Sequence, residues 1–178
     1  KPKLLSVLVV PPWSDVDLLR LAASLERSSE HPLAGAVVAG AEGRGIEWAP
    51  VVQFRSVTGK GVAGTVTDRR VAIGTVAFLQ NDVGVSGQSL TKLDEAAASL
   101  RREGQTILFV AIDEQVAGVL GVADPIKSST RDAVQELEAE GIRVVMVTGD
   151  HRDTAEAVAR QLGIEEVMAE VLPDQKGQ

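Results

Sequence analysis

The pattern of apolar residues changes at Asp124-Pro125 from an antiparallel to a parallel grammar, and that change restricts the folds open to the chain. Upstream, residues 51–57, 62–67 and 71–73 are short runs rich in β-branched residues, with Asp68-Arg69 between two of them as a tight turn. They predict an antiparallel meander. Residues 4–10, 107–112 and 116–122 read as further strands of the same region. Downstream, Ser128 or Ser129 caps a helix that ends at Gly141, Val144 to Val147 is wholly apolar and reads as a buried strand, residues 152–162 form a helix stopped by Gly163, and Val167 to Ala169 form a strand. Helix, strand, helix, strand predicts a parallel α/β layer. The chain is therefore expected to be α/β, with an α+β lobe over residues 1–120 and a partial parallel α/β lobe over 121–178, the boundary falling near 119–124.

Helical hairpins should cover the antiparallel part. Ser14 is the expected N-cap of a helix over 15–28, with Asp15 and Asp17 in its first turn and Val16, Leu18, Leu19, Ala22, Ala23 and Leu25 at helical spacing. Pro32 disfavours helix in the residue before it and suits the first turn of a new one, so a second helix is expected over 32–42 with Glu30 and His31 at the corner. A short helix over 76–81 and a longer one over 89–103 make the second pair.

Composition excludes several classes of function. No apolar run approaches the roughly 20 residues of a membrane-spanning helix, and residues 4–10 lead into Pro11-Pro12-Trp13 rather than a small-residue cleavage site. The net charge of −7 argues against a surface that wraps nucleic acid. The chain has no cysteine and only two histidines, His31 and His151, so no metal site is expected.

Gly59-Lys60-Gly61-Val62-Ala63-Gly64 matches the letters of a dinucleotide fingerprint, but the fingerprint needs a following helix and here a strand, a turn and a strand follow. What remains is a glycine turn, either a plain β-turn or one whose backbone a flat ligand can approach. His31 at a helix start can stack on or hydrogen-bond to a purine, and Glu26, one turn earlier, can accept from an exocyclic amine. An isolated His-Pro is more commonly a cap with no ligand. Thr148-Gly149-Asp150 follows an apolar strand and opens a helix, a place suited to phosphate or to an ordinary cap, with Asp150 pointing to magnesium or an orienting role. Lys176 can supply a point charge to a phosphoryl group.

Taken together, Glu26, Ser29-Glu30-His31-Pro32-Leu33, Gly59-x-Gly61, Ile73-Gly74, Asp124-Pro125-Ile126-Lys127, Thr148-Gly149-Asp150 and Pro173-Asp174-x-Lys176 stand in the order and spacing of heavy-metal P-type ATPases. The chain resembles their nucleotide-binding domain plus part of their haloacid-dehalogenase-like phosphorylation domain, and its second part is most similar to copper(I)-exporting members. The resemblance implies ATP with Mg²⁺ as ligand. It implies that Glu26 and His31 hold the adenine, that Gly59, Gly61 and Gly74 let the nucleotide approach, and that Thr75 replaces the family's usual asparagine. It further implies that Thr148, Asp150 and Lys176 serve the phosphoryl site.

By the same resemblance the partners are the remaining phosphorylation, actuator and transmembrane domains of one pump, and the location is the cytosolic part of a membrane-embedded transporter. The family's D-K-T-G-T and G-D-G-x-N-D segments are not among these residues, so the chain alone is expected to bind ATP and to form no acyl phosphate. Two other functions compete. A soluble phosphatase with a cap domain needs a D-x-D at the end of its first strand, and Asp15-Val16-Asp17 suits a helix first turn better. A non-catalytic nucleotide-binding module is the other.

Overall fold

The computed structural model describes residues 1–171, so the expectations for Lys176 and for Pro173-Asp174 lie outside the described residues. Two compact units emerge: residues 1–97 with 107–124, and residues 98–106 with 125–171 of those described.

The first unit is built on a six-stranded sheet in the order β1-β6-β5-β4-β3-β2, formed by β1 (Lys3–Val9), β2 (Val51–Val57), β3 (Gly61–Val66), β4 (Arg69–Gly74), β5 (Thr106–Ile112) and β6 (Gln115–Ala123). Pairs β1/β6, β2/β3, β3/β4 and β4/β5 are antiparallel, as the meander pattern predicts. The tight turn sits one residue earlier than expected. Thr67 and Asp68 take the left-handed conformation, φ 48° and 62°, while Arg69 already pairs with Val66. Two left-handed residues match the right-handed twist of the flanking strands, and Asp68 tolerates that region better than Arg does. A bulge the sequence did not announce interrupts β2/β3 between Val52 and Arg55, with Gln53 at φ 54°.

Helix α1 (Asp15–Glu26) starts as expected: Ser14 Oγ accepts from the Asp17 N–H at 3.1 Å. It stops at Glu26, two residues short of the expected end, and α2 (Ala34–Glu42) begins two residues late. The bend is thereby longer, and His31 fills it by accepting the Leu33 N–H on Nδ1 at 3.2 Å. Leu18, Leu19, Leu21, Ala22 and Leu25 of α1 pack with Val37 of α2 onto Val62, Val66, Val71, Ile73, Val110, Ile112 and Leu120, a continuous core on one face of the sheet.

Alternation places Gly61, Ala63, Ala72 and Gly74 on the other face. There Phe78 and Leu79 are fully buried, along with Leu90 and Ala97. The short helix expected over 76–81 is three residues of α3 (Val76–Phe78) followed by a π-helical turn, Leu79–Val83, and α4 spans Gly87–Arg102. No helix among the described residues is long and apolar enough to cross a membrane.

In the second unit α5 (Ser128–Ala139), β7 (Val145–Val147), α6 (Arg152–Leu162) and β8 (Glu166–Met168) follow the predicted order, and β7 pairs β8 in parallel. Arg143 reaches Glu166 with both Nε and Nη2, which ties the entries of the two strands and lowers the glutamate's pKa through that hydrogen bond. The expectation of a buried β7 fails: Val145 and Val147 are 37% and 43% exposed. Parallel strands are buried when helices cover both faces of a sheet, and the described part of this unit offers a sheet of two strands only.

Candidate functional site

Helix α1 crosses the first unit's sheet. Near its start Leu18 Cδ2 lies 2.9 Å from where a Cβ on Gly118 of β6 would stand, and near its end Leu25 Cδ1 lies 3.0 Å from the corresponding point on Gly64 of β3. Its flanks therefore face the two ends of the strands. One flank is fixed by Ser24, whose Oγ accepts the Ala49 N–H at 2.9 Å and donates to the Arg20 carbonyl at 2.7 Å. Ala49 leads into Val51, so that flank faces the end of β2 where the strand begins. At about 100° per residue, Glu26 stands about 200° round the helix from Ser24 and faces the opposite end.

That opposite end carries the glycine turn. Gly59 lies between β2 and β3, and Gly61 pairs across to Gly74. The Thr75 N–H donates to the Lys60 carbonyl at 2.9 Å, joining turn and β4 exit. Helix α2 also leans this way, since Gly40 abuts Leu4, which pairs with Val122 near the same end of the sheet. The bend with His31 lies between these two helices. Gly59, Gly61, Gly74 and Thr75 thus share one end of the sheet, toward which Glu26 is turned, and the His31 bend follows directly on α1.

Glu26 is the unusual group. Its side chain is only 5% exposed, and Oε2 has no hydrogen-bond partner. Burial pushes its pKa up to about 7, against a hydrogen bond from Ser29 that pulls it down. A buried acceptor left unpaired costs about 1–3 kcal/mol, which a ligand N–H would recover. His31 is exposed; Nδ1 is occupied by the Leu33 N–H, so the other ring nitrogen and the ring face are available to a ligand.

The glycines differ among themselves. Gly59 has φ 71° and open space around its missing Cβ, as a ligand-facing turn requires. Gly61 and Gly74 have a packing reason of their own. A Cβ on Gly61 would meet the Ile73 carbonyl and Phe78 Cδ1 at 2.6 Å, and one on Gly74 would meet the Lys60 carbonyl, Gly61 Cα at 2.8 Å and Phe78 Cδ1 at 2.9 Å. Their bareness seats the Phe78 ring. Thr75 is the N-cap of α3, its Oγ1 accepting from the Phe78 N–H at 3.2 Å, which leaves the hydroxyl proton free to donate.

The second unit holds the other expected residues. Thr148 Oγ1 donates to Asp150 Oδ2 at 3.0 Å and accepts the Asp150 N–H at 3.1 Å, a closed local turn. Thr148 N–H and carbonyl bond Met168 and Val171, so the loop is anchored to the exit of β8. His151 caps α6 by accepting the Asp153 N–H on Nδ1. Sequence reasoning missed Thr106, whose Oγ1 lies 3.4 Å from Asp150 Oδ1, and Gln105, whose carbonyl accepts from Thr154 Oγ1 at 3.0 Å. Both lie more than 40 positions from their partners, at separations of 44 and 49, beyond any local pattern.

Known proteins resemble this chain over most of its length. The family model of haloacid dehalogenase-like hydrolases matches residues 8–178. A copper-transporting P-type ATPase of Rhizobium leguminosarum bv. viciae is 47% identical over 176 residues, covering 99% of this chain and 20% of that protein. A silver exporting P-type ATPase of Salmonella typhimurium is 42% identical, covering 98% of this chain and 21% of its own length. The chain thus spans about a fifth of the curated relatives it matches. Among solved structures, a zinc-transporting PIB-type ATPase in the E2.Pi state aligns over 99% of this chain and 28% of its own, with TM-score 0.68 and 29% identity. The N-domain of a copper-transporting P-type ATPase aligns over 68% of this chain and 98% of its own, with TM-score 0.57 and 27% identity.

Proposed function

This chain belongs to the haloacid dehalogenase-like hydrolase family, and from that premise we propose that it is the ATP-binding cytosolic segment of a heavy-metal P-type ATPase that exports copper(I). The nucleotide-binding domain comprises residues 1–120 and the partial phosphorylation domain 121–178. The observation that carries the nucleotide reading is the Glu26 carboxyl: buried, with one oxygen unpaired, on the flank of α1 opposite the one fixed by Ser24. An adenine amine donating to Oε2 would satisfy it, with the His31 ring against the base and the Gly59 backbone open to the rest of the nucleotide. Thr75 has a hydroxyl proton to offer in place of an amide.

In the second unit, the loop of Thr148, Gly149 and Asp150 offers a hydroxyl and a carboxylate at a helix start, which suits a magnesium-bearing phosphoryl group better than a bare phosphate. Lys176 would neutralise the transferred group. Phosphoryl transfer consists mostly of such positioning and charge neutralisation, and the accepting aspartate would belong to the rest of the pump. Copper(I) is favoured by the names of the relatives, several of which are copper transporters at 38–47% identity. The ion's ligands would sit in the membrane part, along with the actuator and remaining phosphorylation domains as partners.

Titration of the chain with ATP by calorimetry or NMR tests the reading. His31→Ala should weaken binding about tenfold, a loss of about 1.4 kcal/mol, and lower the melting temperature only slightly, because the ring is exposed and water can replace it as acceptor of the Leu33 N–H. Equal affinity in variant and parent would remove His31 from the site.

A further inference from the structure

Around the Gly59 turn the chain gathers two cations on one residue, Asp82: Lys60 on its carboxylate and Arg55 on its backbone carbonyl. Lys60 Nζ lies 3.6 Å from Asp82 Oδ2. Arg55, from β2, reaches the same residue: Nη2 donates to the Asp82 carbonyl at 3.4 Å, and the guanidinium carbon stands 5.8 Å from the centre of the Phe78 ring. Among the described residues no carboxylate pairs with Arg55. One positive charge is therefore left unmatched at this spot, in a chain whose net charge is −7.

The surroundings favour an anion there. Gly59, immediately before Lys60, presents a left-handed backbone with open space. The Lys60 carbonyl is fixed by the Thr75 N–H, while its side chain, 55% exposed, is able to swing. Asp82 is delivered by the π-helical turn Leu79–Val83, a rare conformation found mostly as single turns at functional sites. A groove of about 250 Å³ is lined by the left-handed Gln53, by Arg55, Thr65 and Asp82, and by Glu114, whose charge Arg70 offsets at 2.6 Å.

We propose that Lys60 and Arg55 bind the polyphosphate of the nucleotide, and that the Asp82 carboxylate is a resident anion that holds Lys60 and competes with the phosphate for it, while the Asp82 carbonyl steadies Arg55 beside it. This rests on the nucleotide reading above. Arg offers a planar fork that matches phosphate oxygens and Lys a mobile point charge, so the pair suits a chain of phosphates turning over Gly59. The competition gives a signed consequence: removing the Asp82 charge should tighten ATP, whereas removing either cation should loosen it.

Titration of the whole chain with ATP and, separately, with adenosine in magnesium-free buffer distinguishes the possibilities. Lys60→Ala and Arg55→Ala should each weaken ATP about three- to tenfold and leave adenosine within about twofold; Asp82→Asn should tighten ATP about two- to fivefold. In both cation variants the weakening of ATP binding by added salt should be shallower than in the parent. Unchanged ATP affinity in both cation variants overturns the proposal, as does an equal loss for ATP and adenosine, or weaker ATP binding by Asp82→Asn with adenosine unaffected. Should adenosine fail to bind the parent chain, the nucleotide reading itself falls. Adenosine binding beside cation variants that do not distinguish phosphate overturns this proposal alone.

Discussion

Replacing Glu26 by Gln should stabilise the first unit at alkaline pH and not at acid pH. The carboxyl goes from 4.5 in the unfolded chain to about 7 in the fold because burial penalises its charged form. Between those values the folded state keeps a proton that the unfolded state has lost. Stability therefore falls as pH rises from about 4.5, and the loss is complete above about 7. At about 1.36 kcal/mol per pKa unit the accumulated cost is about 3 kcal/mol, a large share of the 5–15 kcal/mol typical of a domain's stability. Gln has nearly the same shape, carries no charge at any pH, and escapes that cost.

Urea unfolding followed by tryptophan fluorescence reads the right unit, since Trp13 and Trp48 both belong to it. At pH 4.5 the two proteins should agree within about 1 kcal/mol, and at pH 8 Glu26→Gln should be the more stable by about 2–3 kcal/mol. A gap that stays constant across that range would mean that Glu26 does not change its protonation with folding. The inference of a buried, unpaired carboxyl facing the ligand end of the sheet would then be wrong.

Two further outcomes are expected. Gly61→Ala should cost about 2–3 kcal/mol, because its Cβ meets backbone and a packed ring, whereas Gly59→Ala should cost about 1 kcal/mol for its left-handed conformation alone; comparing thermal midpoints of the first unit checks the order. Ser24→Ala should cost about 1–2 kcal/mol by leaving the Ala49 N–H unpaired, and it should shift Trp48 emission to the red as the Arg27 guanidinium, 3.9 Å from the indole ring, loses its register.

Where local chemistry decides, the chain could be read directly. Helix α6 begins and ends where Asp153 in the first turn and Gly163 at the left-handed stop place it, and Ser14 caps α1 as its hydroxyl and the acidic first turn foretell. Distant partners decided the rest. The glycine pattern does not announce that Phe78, close to Gly74 in the chain but far from Gly61, packs against both, so two residues read as ligand-facing glycines also make room for a ring. The exposure of β7 depends on how many strands and helices surround it, which its apolar run does not record. The candidate site fared similarly. Its residue types stand out in the motif order, but the unpaired Glu26 oxygen follows from the burial of α1 and the Asp82 cluster from a π-helical turn, and both are tertiary facts.

The crossing of Gly61 with Gly74 has a consequence for how this sheet can vary. The first obstacles to a methyl group at either position are peptide carbonyls, of Ile73 and of Lys60, and trimming Phe78 removes only the softer half of each collision. No exchange of one side chain elsewhere can therefore rescue a larger residue here, and both sites should stay glycine when random libraries are selected for folding.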